Sequence, residues 1–87
     1  MRKINFEPTA FDHLRYWADE NQKLLQRIFQ VIEDTRRNPF KGIGKPEPLK
    51  HTKGYWSRRI NDEHRLVYKV TDDAIIIIII SCRFHYD

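Results

Sequence analysis

The segment Lys45-Pro46-Glu47-Pro48-Leu49-Lys50-His51 sets one carboxylate among cations on a proline-bracketed stretch, and Arg58, Arg59 and Arg65 follow it. Arg83-Phe84-His85-Tyr86 sits just before the C-terminal Asp87. Such a set suits metal-free RNA transesterification. A base removes the 2′-OH proton, an acid protonates the departing 5′-oxygen, and fixed cations stabilise the extra charge of the phosphorane. Glu47 is the candidate base, because neighbouring Lys and Arg would keep it ionised. His85 is the candidate acid, with an unperturbed pKa of about 6.5 that a phosphate could raise. Arg65, helped by Lys50 and Arg59, would clamp the scissile phosphate. Tyr86 would stack on a base or position a proton.

Each of these residues also has an ordinary reading. A histidine near a C-terminus is usually just exposed, and a glutamate among lysines usually forms a surface salt bridge. An arginine at a strand start is normally solvated, and a terminal tyrosine normally packs on an edge. Tyr16 and Trp17 read as core or dimer contact, and His13 and His64 as structural. Strand parity puts Trp56 and Arg58 on one face and Tyr55 and Arg59 on the other, so the two adjacent arginines cannot line one surface. The same parity separates Glu47 from Lys50 unless the proline-rich backbone kinks. Pattern alone leaves nuclease and solvated surface both open.

Charge gives a partner class. The 87 residues carry a net +4, but residues 36–59 hold eight Lys and Arg against Glu47 alone, a local +7. Phe40, Tyr55 and Trp56 interleave with these cations, a composition suited to an unpaired polyanion strand. Metal and cofactor chemistry lack motifs. Cys82 and His85 have a C-x-x-H spacing without a second pair, and Gly42-Ile43-Gly44 continues into no phosphate loop. Cys82, the single cysteine, has no internal disulfide partner and reads as an inert core thiol of a reducing compartment. The N-terminus lacks an apolar signal core, and the run Ala74 to Ile80 falls far short of the ~20 residues that cross a bilayer. These features predict a cytoplasmic protein with no membrane contact and no cofactor.

One domain of residues 1–87 must position the candidates. Arg2–Phe6 reads as a first strand. Phe11, Leu14, Trp17 and Ala18 repeat at helical spacing after Pro8, and Asn21 is placed to cap a second helix with Leu24, Leu25, Ile28, Val31, Ile32 and Thr35 on one face. Asn38-Pro39 ends it. Gly42, Gly44, Pro46 and Pro48 predict an ordered loop and a short edge strand over Glu47–Lys50. Tyr55–Ile60, His64–Val70 and Ala74–Cys82 predict three further strands. The isoleucines of the last load both pleat faces, which predicts a central position with helices covering one side. The expected fold is α+β, in the order β-α-α-β-β-β(-β), a mostly antiparallel sheet with an N-terminal helical hairpin on one face.

Five blocks of the chain, in order, resemble the Txe/YoeB family of bacterial toxins within the RelE-type superfamily. They are residues 34–40 (Asp34-Thr35-Arg36-Arg37-Asn38-Pro39-Phe40), 44–51, 56–60, 63–68 (Glu63-His64-Arg65-Leu66-Val67-Tyr68) and 82–86. The resemblance implies a microbial-ribonuclease-like α+β fold and a ribosome-dependent endoribonuclease that cuts mRNA codons in the ribosomal A site. It further implies a YefM-type antitoxin, a toxin homodimer, and contact with operator DNA only through the antitoxin complex. Carried over residue by residue, the family's base falls on Glu47, its acid on His85 and its phosphate-stabilising arginine on Arg65. Lys50, Arg59 and Tyr86 fall on supporting positions. Phe84 stands where a tyrosine is common, the His51–Tyr55 connection is one residue short, and Asp87 adds a carboxylate that is expected to raise the His85 pKa. Two other functions stand beside the nuclease: a non-catalytic A-site binder, and a gyrase poison of the ParE type.

Overall fold

The computed structural model describes residues 2–80. Lys3–Phe6 forms β1, Pro8–Glu20 α1, Gln22–Arg37 α2, Glu47–Pro48 β2, Tyr55–Arg59 β3, Arg65–Val70 β4 and Ala74–Ile79 β5. Pro8 opens α1 at a position where its missing N–H is not needed. One residue, Asn21, then joins the two helices. Its N–H donates to Trp17 O at 3.0 Å to close α1, and its side-chain oxygen accepts from Leu24 N at 3.0 Å to open α2. The extended backbone of Asn21 reverses the chain between them, which makes the helical hairpin. At the far end of α2, Asn38 N–H closes the helix on Asp34 O, and Pro39 stops it.

The sheet order is β1-β5-β4-β3-β2, with β1 parallel to β5 and every other pair antiparallel. The isoleucine strand is therefore central, flanked by β1 and β4. Ile75 and Ile77 of β5, Leu66 and Tyr68 of β4, and Ile60 meet Ala10 and Trp17 of α1 and Leu24, Leu25, Ile28, Val31 and Ile32 of α2 in one core. The α2 positions are those expected from the 3.6-residue repeat. The opposite face carries Ile76, Val67, Tyr55, Ser57, Arg59 and Arg65, and no helix lies over it among the described residues.

A bulge breaks the alternation in β5. Val67 pairs with Ile79 while Tyr68 pairs with Ile77, so Ile78 is the extra residue and the phase inverts beyond it. Ile80 then returns to the core, fully buried. A run of identical side chains presents isoleucine to either face in either phase, so the bulge creates no mismatch of residue type. The backbone of Ile80 is held by α1 from both sides: its N–H donates to His13 Nδ1 at 3.2 Å, and its carbonyl accepts from Trp17 Nε1 at 2.9 Å. His13 must be neutral, with its proton on Nε2, to accept that bond. Burial lowers its pKa accordingly, against an upward pull from Asp12.

Two strands differ from expectation by more than one residue. The edge strand stops after Pro48 rather than reaching Lys50, because the chain must bend at once to return through Gly54 (φ +87°) into β3. The final strand ends at Ile79 and Ile80 follows as a bend; the last two residues of the expected span, Ser81 and Cys82, lie outside the described residues.

Candidate active site

The loop between α2 and β2 is built around a buried arginine. Arg58 is 0% exposed, and all five of its N–H donors are used. Nη1 donates to Asp34 Oδ2 at 2.6 Å and to Ile43 O at 3.2 Å. Nη2 donates to Lys41 O at 2.9 Å and to Asn38 O, and Nε donates to Tyr68 OH at 3.2 Å. Tyr68, itself fully buried, donates its hydroxyl hydrogen bond to Pro39 O at 2.6 Å. Burial pushes the Tyr68 pKa up, which keeps it the donor that Pro39 requires. Burial also tends to raise the Asp34 pKa, but hydrogen bonds from Ile43 N–H and Arg58 outweigh it, and the carboxyl sits below its ordinary value. Gly42, at φ +127°, is required here, since a Cβ would lie 2.0 Å from Asp34 Oδ2. Strand parity anticipated that Arg58 and Arg59 would part company. It did not say that Arg58 is withdrawn from the basic surface altogether to hold the loop.

That loop delivers Glu47. Gly44 (φ +77°) takes the left-handed conformation, and its carbonyl accepts from Arg59 N at 2.6 Å, an approach so close that a Cβ would strike Arg59 O. Lys45 follows at φ +50°, a conformation that costs a lysine roughly 1–3 kcal/mol and persists only when its neighbours enforce it. Glu47 then pairs with Ser57, and Leu49 N–H bonds to Tyr55 O at 2.9 Å. The exposed carboxylate is thus tied to β3 on both sides of its two-residue strand.

Register brings three of the predicted residues onto one face. Glu47 lies opposite Ser57, and Ser57 opposite Val67, which makes one row; Arg59 lies directly opposite Arg65 in the next. Residues paired across an antiparallel ladder share a face. Glu47, Arg59 and Arg65 therefore stand together on the face away from the helices. From strand spacing and rise, Cα atoms of Glu47 and Arg65 are about 12 Å apart, with Arg59 between. Lys50 is exposed in the bend just past β2, beside this face rather than on a strand within it. His85 and Tyr86 lie outside the described residues, as does the Cys82–His85 pair.

The aromatic residues divide. Phe40, 46% exposed, packs on Trp56 with ring centroids 5.0 Å apart, and Trp56 pairs with core Tyr68 on the helix side. Only Tyr55 of the three interleaved aromatics shares the face with Glu47 and Arg65. Trp17 has a part that helical spacing did not reveal. Its indole holds Ile80 O and also meets the His64 ring edge-on at 4.7 Å, so one α1 side chain joins the end of β5 to the start of β4. The only available signal was its place on the apolar stripe, which any core tryptophan would share.

Residues 6–86 match the family model described as YoeB-like toxin of bacterial type II toxin-antitoxin system. Toxin YoeB of Escherichia coli K12 is 49% identical over 85 residues, covering 97% of this chain and 99% of that protein. Among solved structures, the YoeB dimer from Staphylococcus aureus superposes with a TM-score of 0.88 at 41% identity, over 98% of each chain. The YoeB-YefM complex from the same organism gives a TM-score of 0.85 at 43% identity, over 99% of each chain.

Proposed function

This chain belongs to the YoeB-like family of toxins of bacterial type II toxin-antitoxin systems, and on that premise we propose that it is an endoribonuclease acting on mRNA in the ribosomal A site. The observation that carries the reading is the row of Arg59 and Arg65. Two cations set directly across a solvent-facing ladder repel each other and cost stability, unless an anion lies between them. Glu47 in the adjoining row supplies a base at the edge of that anion site.

In the reaction, the Glu47 carboxylate takes the proton of the 2′-OH, and the 2′-oxygen forms a bond to phosphorus. The bond from phosphorus to the 5′-oxygen breaks, and His85 donates a proton to that oxygen. The products are a 2′,3′-cyclic phosphate, opened by water to a 3′-phosphate, and a 5′-hydroxyl end. Arg65 and Arg59 hold the added charge of the phosphorane, Lys50 contacts the flanking backbone, and Tyr86 supports the base or the proton transfer. No step calls for a metal ion or organic cofactor. The ribosome supplies the strained, ordered mRNA strand, and cleavage there stops translation in the cytoplasm.

The Staphylococcus aureus relatives form a dimer and a complex with YefM. At 41–43% identity over nearly the whole chain, the same two assemblies are proposed here: a homodimer, and inhibition by a YefM-type antitoxin. Contact with operator DNA is assigned to the antitoxin complex alone.

Growth arrest tests the assignment of residues. Expressed without antitoxin, Glu47→Ala, Arg65→Ala and His85→Ala should each relieve arrest while keeping the circular dichroism spectrum of the parent. Arrest that persists in all three variants contradicts the proposal.

A further inference from the structure

Arg65 does not project freely from the sheet. Its Nη1 donates to three backbone carbonyls of the β3–β4 turn, Asn61 O at 3.0 Å, Asp62 O at 3.4 Å and His64 O at 3.1 Å. Nη1 is thus the tethered nitrogen, while Nε and Nη2 make no hydrogen bond to another described residue. Those carbonyls are aimed by one side chain. Asn61 Oδ1 accepts from Glu63 N at 2.9 Å and from His64 N at 2.8 Å, curling the turn on itself. The turn is also fixed at its base. Ile60 N–H bonds to His64 O at 2.9 Å, Arg27 of α2 donates to Ile60 O at 3.2 Å, and His64 is buried against Trp17.

We infer that Asn61 is a positioning residue of the nuclease: its side chain shapes a three-carbonyl cradle that holds Arg65 with its fork turned to the scissile phosphate. The inference rests on the proposed role of Arg65. Arginine is a long side chain, and ordering it at the transition state costs rotamer freedom. A cradle that orders it beforehand removes that cost from the chemical step. Three carbonyls sharing the two N–H groups of Nη1 hold the guanidinium plane without neutralising it, which a carboxylate partner would do.

The test is single-turnover cleavage of mRNA on programmed ribosomes, measured with ribosome affinity for the same variants. Asn61→Ala should slow cleavage about 10-fold or more, with affinity changed less than about threefold. Asn61→Ser keeps a neutral acceptor for the turn N–H groups and should restore cleavage to within about threefold of the parent. Introduced beside Arg65→Ala, Asn61→Ala should cause no further loss, because the group that Asn61 positions is gone. A general loss of folded protein would instead lower both backgrounds by the same factor. An unchanged rate for Asn61→Ala, or an equal loss in both backgrounds, overturns the inference while leaving the nuclease intact. Full cleavage by Arg65→Ala itself overturns the reading beneath it.

Discussion

Arg65→Ala should lower the single-turnover rate of mRNA cleavage by about 10²–10³-fold, the range found when one fixed donor to a developing oxyanion is removed. The loss belongs in the chemical step. Arg65 sits two residues along and two strands over from Glu47, on the face where Arg59 already supplies a cation for ground-state binding. Affinity for the programmed ribosome should therefore fall only a fewfold. Arg65→Lys should recover little of the rate, since an ammonium keeps the charge but offers neither the fork nor the contacts of Nη1 to the turn carbonyls. The melting temperature should stay close to that of the parent, because Arg65 is only half-buried and its partners are carbonyls at an exposed turn. A rate within threefold of the parent in the alanine variant would remove Arg65 from the mechanism.

Arg58→Met should be the most damaging substitution to the fold. It deletes five donors at once and leaves the carbonyls of Asn38, Lys41 and Ile43 and the Asp34 carboxylate without them. Breaking a buried pair from one side costs about 3–5 kcal/mol. The Asp34 side chain is 33% exposed and solvent screens it, which favours the lower end, about 3 kcal/mol. Against a total of roughly 4–13 kcal/mol for a chain of this size, that is a large share, and it corresponds to a fall of about 12 °C or more in Tm. A change under about 3 °C in thermal denaturation would contradict it. Cleavage should fall as well, although Arg58 faces away from the candidate site, because the loop it holds positions Glu47. The same cage sets an acid limit. The Asp34 pKa is lower folded than unfolded, so its contribution is fully present above the ordinary value of 3.8 and is lost as pH drops through the lower folded value.

Much of this was legible in residue types and spacing. The helical hairpin followed from two apolar stripes and Asn21, the central strand from isoleucines on both faces, and the separation of Arg58 from Arg59 from strand parity. The convergence of Glu47, Arg59 and Arg65 depends on register, and spacing does not encode the pairing of Glu47 with Ser57. It is set by the Gly44 carbonyl on Arg59 N–H and by the loop that Arg58 gathers. Arginine among lysines looked like part of a basic surface, since nothing in its spacing distinguishes a guanidinium that meets phosphate from one that meets five backbone and side-chain acceptors. The bulge at Ile78 was illegible for a simpler reason: six identical residues carry no phase. Of the aromatics on β3, Tyr55 shares the face of Arg59 and Trp56 that of Arg58, as strand parity required.

The most direct test of the central claim is primer extension on an mRNA translated in a purified system, with and without ribosomes, comparing the parent chain with His85→Ala. The expected result is cuts in codon register that require both ribosomes and His85, with 5′-hydroxyl ends on the downstream fragments. Ribosomes halted on intact mRNA, or cuts that persist in His85→Ala, would contradict it.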